Sequence, residues 1–187
     1  MPSARDGGDM RAVQLMLVVA LGSTLVNPLQ AQKNKVDPLT APQIEKIREA
    51  GDNPPERVKL YREFMQEHVD AVKEYGAKGH SPSRAKRLDD ELQSVAALAD
   101  EYGSNLDVYD ERKADIRKAL KELNEAIAKW QEVLQSLKVE PTYDLSRTDA
   151  LASLKDLADQ ASKMLKDQTK YFEEHPDQKG QERYEPK

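Results

Sequence analysis

Apolar residues recur in alternating steps of three and four through the middle of the chain, and a single polar residue interrupts them. The series is Ala85, Leu88, Leu92, Val95, Ala99, Tyr102, Leu106, Tyr109, Lys113, Ile116, Leu120, Leu123, Ile127, Trp130, Leu134 and Leu137. A repeat of about 3.5 residues held in one phase is typical of a helix that presents an apolar seam to partner helices. The pattern predicts an all-α fold, an antiparallel coiled-coil-like bundle of three main helices around one long central helix.

Helix start and stop signals divide the rest of the chain. Thr40 and Gln43 have the spacing of a capping box, Leu39 and Ile44 that of a hydrophobic staple, and prolines follow candidate N-caps at Asn53 and Ser81. These signals predict a short N-terminal helix at about 41–50 and the main helices at about 54–76, 82–137 and 147–174. Because short connections make consecutive helices antiparallel neighbours, the second helix packs on the first half of the long one and the last helix on its second half.

Gly103 leaves one alternative open. A glycine in a helix interior costs about 1 kcal/mol relative to alanine, and Gly103-Ser104-Asn105 also fits a turn. The apolar phase nevertheless passes from Tyr102 to Leu106 without a slip, which favours one helix of about 56 residues and about 84 Å. A break at Gly103 would instead fold the two halves into a compact four-helix bundle.

The N-terminal 31 residues have the three-part pattern of a secretory signal. Arg11 precedes an apolar run from Ala12 to Leu21, and a more polar stretch ends at Ala31. The run is shorter than the roughly 20 residues of a membrane span, which favours cleavage near Ala31 over the alternative of an uncleaved anchor. The prediction is an exported protein, periplasmic or secreted and free of the membrane after cleavage. A flexible leader (32–39), one helical domain (40–175) and a disordered tail (176–187) follow.

Composition narrows the range of partners and cofactors. Charged residues make up 34% of the chain, the formal net charge is −5, and there is no cysteine. No Lys/Arg-rich run is present to bind a phosphate backbone, so no nucleic-acid partner is predicted. The lack of cysteine excludes disulfides, thiolate metal sites and a cysteine nucleophile. No cofactor is predicted.

Few residues are candidates for chemistry. His68 lies on the apolar seam of the second helix and is a weak candidate metal or haem ligand, with Met164 as a conceivable second ligand. A lone seam histidine is more often a core residue whose polar tip is satisfied, and the Glu-x-x-His pairs of di-iron bundles are absent. Lys113 is read as a residue that fixes register or marks exposure. Tyr102, Tyr109 and Trp130 are predicted to be core residues.

Leu39-Thr40-Ala41-Pro42-Gln43 resembles the L-T-x-x-Q motif of small helical periplasmic stress chaperones and metal-responsive proteins of the Spy/CpxP type. The resemblance covers five residues, and the second copy that this family carries is not evident in the chain. It implies a periplasmic chaperone or stress sensor with an exposed apolar concave face.

No paired catalytic constellation is visible, so the sequence predicts a protein that is not an enzyme. The favoured interpretation is an exported helical bundle that acts by protein–protein interaction, with another protein or with a second copy of itself. The first alternative is the chaperone or sensor that the L-T-x-x-Q resemblance implies. The second alternative is a small-ligand, metal or haem binder that uses His68.

Overall fold

The computed structural model describes residues 37–112 and 114–179, which are helical for most of their length and contain no strand. The helices are α1 (Ala41–Glu49), α2 (Pro54–Ala77), α3 (Pro82–Glu111), α4 (Arg117–Gln135) and α5 (Asp144–Glu174), followed by a 3-10 turn at Pro176–Gln178. The predicted all-α bundle with a short N-terminal helix is confirmed. The predicted signal segment (1–31), residues 32–36 of the predicted leader, Lys113 and residues 180–187 lie outside the described residues.

Three of the helices begin at the predicted caps. The Thr40 N–H donates to Gln43 Oε1 at 2.8 Å in the capping box that opens α1. Asn53 Oδ1 accepts from the N–H of Glu56 at 3.0 Å, and Ser81 Oγ accepts from the N–H of Arg84 at 3.2 Å. Each cap satisfies an amide that has no partner within its helix.

The single helix predicted over 82–137 is wrong, because α3 ends at Glu111 and α4 begins at Arg117. The connection is stabilised from α5: Ile116 N–H donates to Gln168 Oε1 at 3.2 Å, and Gln168 Nε2 donates to Ala114 O at 3.0 Å. Ala114 and Ile116 are both buried. Their backbone groups need partners, and a side chain more than fifty positions further along supplies them.

Gly103 is not the break either, since it lies inside α3. A Cβ at this position would stand 2.7 Å from Gln160 Oε1. Gln160 Nε2 donates to Gly103 O at 2.9 Å. The glycine therefore allows α5 to approach the backbone of α3 closely.

The four long helices form two antiparallel hairpins. In the first hairpin (α2 and α3), Arg57 contacts Tyr109 at one end and Tyr75 accepts from Arg84 at the other. The second hairpin consists of α4 and α5. The hairpins pack with α2 against α4 and α3 against α5, so that α3 and α4 occupy opposite corners. This is the compact four-helix alternative, with its break moved from Gly103 to the segment after Glu111.

The predicted seam is the core of this bundle. Every apolar member of the series from Ala85 to Leu137 is buried. Trp130 also donates its indole N–H to Gln66 Oε1 on α2 at 2.8 Å, which ties the two hairpins together. Within the described residues, no buried side-chain nitrogen or oxygen is without a hydrogen-bond partner.

Several predicted boundaries need correction. Pro38 and Leu39 are buried, so the end of the predicted flexible leader is packed. The predicted tail begins with an ordered turn, in which Tyr171 Oη donates to Gln178 Oε1 at 2.8 Å. Helix α5 starts at Asp144 rather than at 147. Ile44, the predicted staple residue, is 42% exposed. None of the helices in the described ranges is long and apolar enough to cross a membrane.

Candidate functional site

Two features that the sequence marks separately, the L-T-x-x-Q segment and His68, meet in the structure. We call this group the N-terminal clasp: residues 37–43 together with Glu67, His68 and Glu91. Asp37 Oδ1 accepts from the N–H of Leu39 at 3.2 Å, which turns the chain into α1. Gln43 Nε2 donates to Glu67 Oε2 on α2 at 2.7 Å. The clasp therefore fixes the segment that precedes α1 onto the first hairpin.

His68 uses both ring nitrogens in the clasp. Nδ1 lies 2.8 Å from Glu91 Oε2 on α3, and Nε2 lies 3.0 Å from the carbonyl oxygen of Pro38. An ionised carboxylate and a carbonyl are both acceptors, whereas a neutral imidazole has one N–H. Which of the two ring nitrogens donates depends on the tautomer of His68. The side chain is 20% exposed, at the edge of the core.

The structure does not bring His68 and Met164 together. Helices α2 and α5 lie at opposite corners and share no contact. Ser146 on α5 donates to Asp89 on α3 at 2.6 Å. Asp89 is two residues from Glu91 of the clasp, so Ser146 lies at about the same height along the bundle as the clasp. Met164 lies roughly 18 residues, or about 27 Å, further along α5. No group of three or more His, Asp or Glu side chains in the described part of the chain is arranged to hold a metal ion.

A second polar centre lies at the end of the bundle where α2 ends and α5 begins. The Arg84 guanidinium donates from Nε to Tyr75 O at 2.9 Å, from Nη2 to Gly76 O at 3.4 Å and from Nη1 to Glu140 Oε1 at 2.6 Å. It thus satisfies carbonyls at the C-terminus of α2, where a cation is favourable. The hydrogen bond from Arg84 Nη1 to the Glu140 carboxylate holds the pKa of Glu140 below its usual value.

This centre fixes a connection on which two apolar side chains, Val139 and Leu145, are exposed to solvent. Tyr143 is buried and donates from Oη to Lys138 O at 2.6 Å, and the Arg84 guanidinium lies 5.8 Å from its ring centroid. The connection between α4 and α5 is thereby fixed, and its Val139 and Leu145 are 67% and 72% exposed. We call Val139, Leu145 and the segment between them the bundle-end patch. The sequence analysis did not predict this patch. The available signal was Arg84, an arginine in the first turn of α3 close to the end of the preceding helix.

Polar groups between α2 and α3 serve the fold. Tyr102 Oη donates to Val58 O at 2.5 Å, and Tyr61 Oη donates to Glu101 at 2.8 Å. Burial raises the pKa of Tyr61 and of Tyr102 above the usual range, so both phenols stay protonated. The prediction that Tyr102 and Tyr109 are core residues is confirmed.

Two open clefts flank the break between α3 and α4. One, of about 310 Å³, lies between Asp110 and the last turns of α5. The other, of about 390 Å³, is lined by Arg117, Lys118 and Lys121. The Arg117 guanidinium already donates to Asp115 at 2.7 Å and lies 4.8 Å from the Phe172 ring centroid. The cleft is therefore partly neutralised by the chain itself.

Comparison of the chain with family models, with curated proteins and with solved structures finds no match. The geometry alone therefore indicates what the sites can do. The clasp holds the segment before α1 by hydrogen bonds of Gln43 and His68. The bundle end exposes two apolar side chains, Val139 and Leu145, on a connection that is held in place.

Proposed function

We propose that this is an exported, non-catalytic helical-bundle protein that acts by binding another protein, with the bundle-end patch as the contact. The observation that carries the proposal is the exposure of Val139 and Leu145 on a connection that Arg84, Glu140 and Tyr143 hold in place. The signal pattern of residues 1–31 supports export. The proposal concerns a surface, since the polar side chains buried in the described part are all engaged within the chain.

Exposed apolar side chains on an ordered connection are favourable contacts for a protein partner. Covering the exposed part of a valine or leucine contributes about 1–2 kcal/mol, and a connection that is already ordered loses little entropy on binding. His80 lies beside the patch, 77% exposed, with Nδ1 3.2 Å from Glu140 Oε2. An apolar centre with polar groups at its edge is the usual composition of an interface core and rim.

Photo-crosslinking in the native compartment tests the proposal. A photoreactive residue at Val139 is compared with one at Lys155, an exposed position on the outer face of α5. We expect Val139 to capture a defined protein that Lys155 does not capture, and the capture to be lost when Leu145→Glu is introduced. A glutamate is tolerated in the first turn of α5 because it faces the positive end of the helix.

Trp130 fluorescence checks that the Leu145→Glu chain is folded, because this indole is buried and is the only tryptophan. Capture of the same proteins from both positions, or capture unaffected by Leu145→Glu, would refute the bundle-end contact.

The chaperone or sensor alternative has the resemblance of the L-T-x-x-Q segment as its support, and the structure holds this segment against α2. In the closed clasp Leu39 and Ile47 are buried, so a chaperone would need the clasp to open before an apolar face is exposed. The test is suppression of client aggregation at equimolar or higher ratio. An unprotected client would remove this alternative.

A further inference from the structure

The break between α3 and α4 has the sequence of a helix interior. Glu111-Arg112-Lys113-Ala114-Asp115-Ile116-Arg117 contains no glycine or proline. The apolar register also continues across it, from Tyr109 to Ile116 and Leu120, at the spacing of an uninterrupted helix. By propensity and by pattern, this segment is as compatible with a continuous helix as with a turn.

The two helix ends at the break are poorly suited to be ends. Helix α3 finishes with Asp110 and Glu111 and has no basic residue in its last turn, where cations are preferred. Helix α4 starts with Arg117 and Lys118 and has no acidic residue in its first turn. Its cap residue, Ile116, offers no side-chain acceptor. The charges within these two terminal turns are unfavourable to the helix dipoles. They are compensated only from outside the helices, by Arg112 directly after α3 and by Asp115, which accepts from Arg117 N–H at 3.4 Å.

Gln168 favours the broken form. Its amide accepts from Ile116 N–H and donates to Ala114 O, and these are two backbone groups that a continuous helix would satisfy by itself. The turn is thus held by a side chain of the second hairpin. A long helix would leave the Gln168 amide without these two partners.

We propose that two copies of this chain exchange hairpins, with α3 and α4 of each copy joined into one helix of about 54 residues and about 81 Å. In the exchanged dimer the first hairpin of one copy packs on the second hairpin of the other. The α2–α4 and α3–α5 contacts of the single chain are then remade between copies, while both hairpins stay intact. The two forms differ only at the break, which is the condition under which exchange of identical elements costs little.

The directions of the helices permit this arrangement. Arg62 contacts Glu122 and Gln66 contacts Trp130, so α2 and α4 are parallel. Because α2 and α3 are antiparallel, α3 and α4 also run in opposite directions at opposite corners of the bundle. Two long helices related by a two-fold axis through their centres reproduce this relation in each half of the dimer. The inference does not depend on the bundle-end contact.

Cysteine crosslinking between different chains tests the exchange, and the native chain contains no cysteine. One chain carries Asp89→Cys on α3 and the other carries Ser146→Cys on α5, two positions joined by a 2.6 Å hydrogen bond between the hairpins. The two chains are unfolded together, refolded at high concentration and treated with a short bismaleimide. The matched control mixes Asn124→Cys with Ser162→Cys, a pair that is in contact within the second hairpin.

We expect a crosslinked product that contains both chains from the first mixture and none from the control. Adding Gln168→Met to every chain should lower the concentration needed for the dimer by at least about tenfold, because the broken form loses its two hydrogen bonds. Light scattering gives the dimer mass independently. A single-chain mass in both backgrounds, or a dimer that yields no product between Asp89→Cys and Ser146→Cys chains, would overturn the proposal.

Discussion

Gln168 offers the sharpest test of what stabilises the turn between α3 and α4. The residue is 3% exposed, and its amide is the partner of one buried N–H and one buried C=O in the connection between α3 and α4. Gln168→Met keeps the length and approximate volume of the side chain, so the cavity contribution is small. What remains is the cost of leaving two buried backbone groups without partners.

The magnitude follows from the two lost hydrogen bonds. An unsatisfied buried donor or acceptor costs about 1–3 kcal/mol, so Gln168→Met should lower the free energy of unfolding by about 2–6 kcal/mol. Gln160→Met is the matched control on the same helix. Gln160 also donates to a backbone carbonyl, Gly103 O, but that carbonyl lies inside a helix, so the loss should stay below about 1 kcal/mol.

Urea unfolding followed by Trp130 fluorescence measures both variants, at a concentration where light scattering gives a single-chain mass. We expect the midpoint to fall for Gln168→Met with little change in the slope, since the surface exposed on unfolding is unchanged. A Gln168→Met chain within about 0.5 kcal/mol of the native chain, or no less stable than Gln160→Met, would refute the role given to this amide.

Three further predictions concern other parts of the bundle. Gly103→Ala should change the urea midpoint little: the gain in helix propensity, about 1 kcal/mol, is offset by displacement of Gln160. Glu140→Gln should destabilise the protein more at pH 7 than at about pH 3. Arg84 lowers the pKa of Glu140, so the stability that the carboxylate provides is lost progressively as the pH falls from 4.5 through that lowered pKa. Urea unfolding at both pH values measures this difference. His68→Leu should release the segment before α1, seen as faster amide hydrogen exchange there with unchanged exchange in α4.

The sequence was informative where local pattern and tertiary packing agree. The apolar series from Ala85 to Leu137 predicted the buried positions because the same face of each helix points to the core after the chain reverses. The caps at Thr40, Asn53 and Ser81 were predictable because each is a local arrangement of a short polar side chain and nearby amides. His68 was correctly expected to have a satisfied polar tip.

The break between α3 and α4 was not predictable from local sequence. It falls among helix-forming residues in unbroken register, and the groups that stabilise it are on α5. The one local sign of a break, Gly103, has a different purpose, since it makes room for Gln160. The Pro38 carbonyl that engages His68 was equally hidden, because backbone acceptors leave no signature in a sequence.

The chain reverses direction after Glu111, so that α3 and α4 lie antiparallel at opposite corners of one bundle. Spin labels at Lys86→Cys and Glu132→Cys measure this directly by pulsed electron–electron distance spectroscopy, at a concentration where light scattering gives a single-chain mass. Both positions are exposed, and each lies toward the end of the bundle that contains Arg84. We expect a distance of roughly 15–30 Å, because neighbouring helices are about 8–10 Å apart, opposite corners are somewhat further apart, and the label arms add to the separation. A distance near about 69 Å, the span of 46 residues of unbroken helix at about 1.5 Å each, would contradict it.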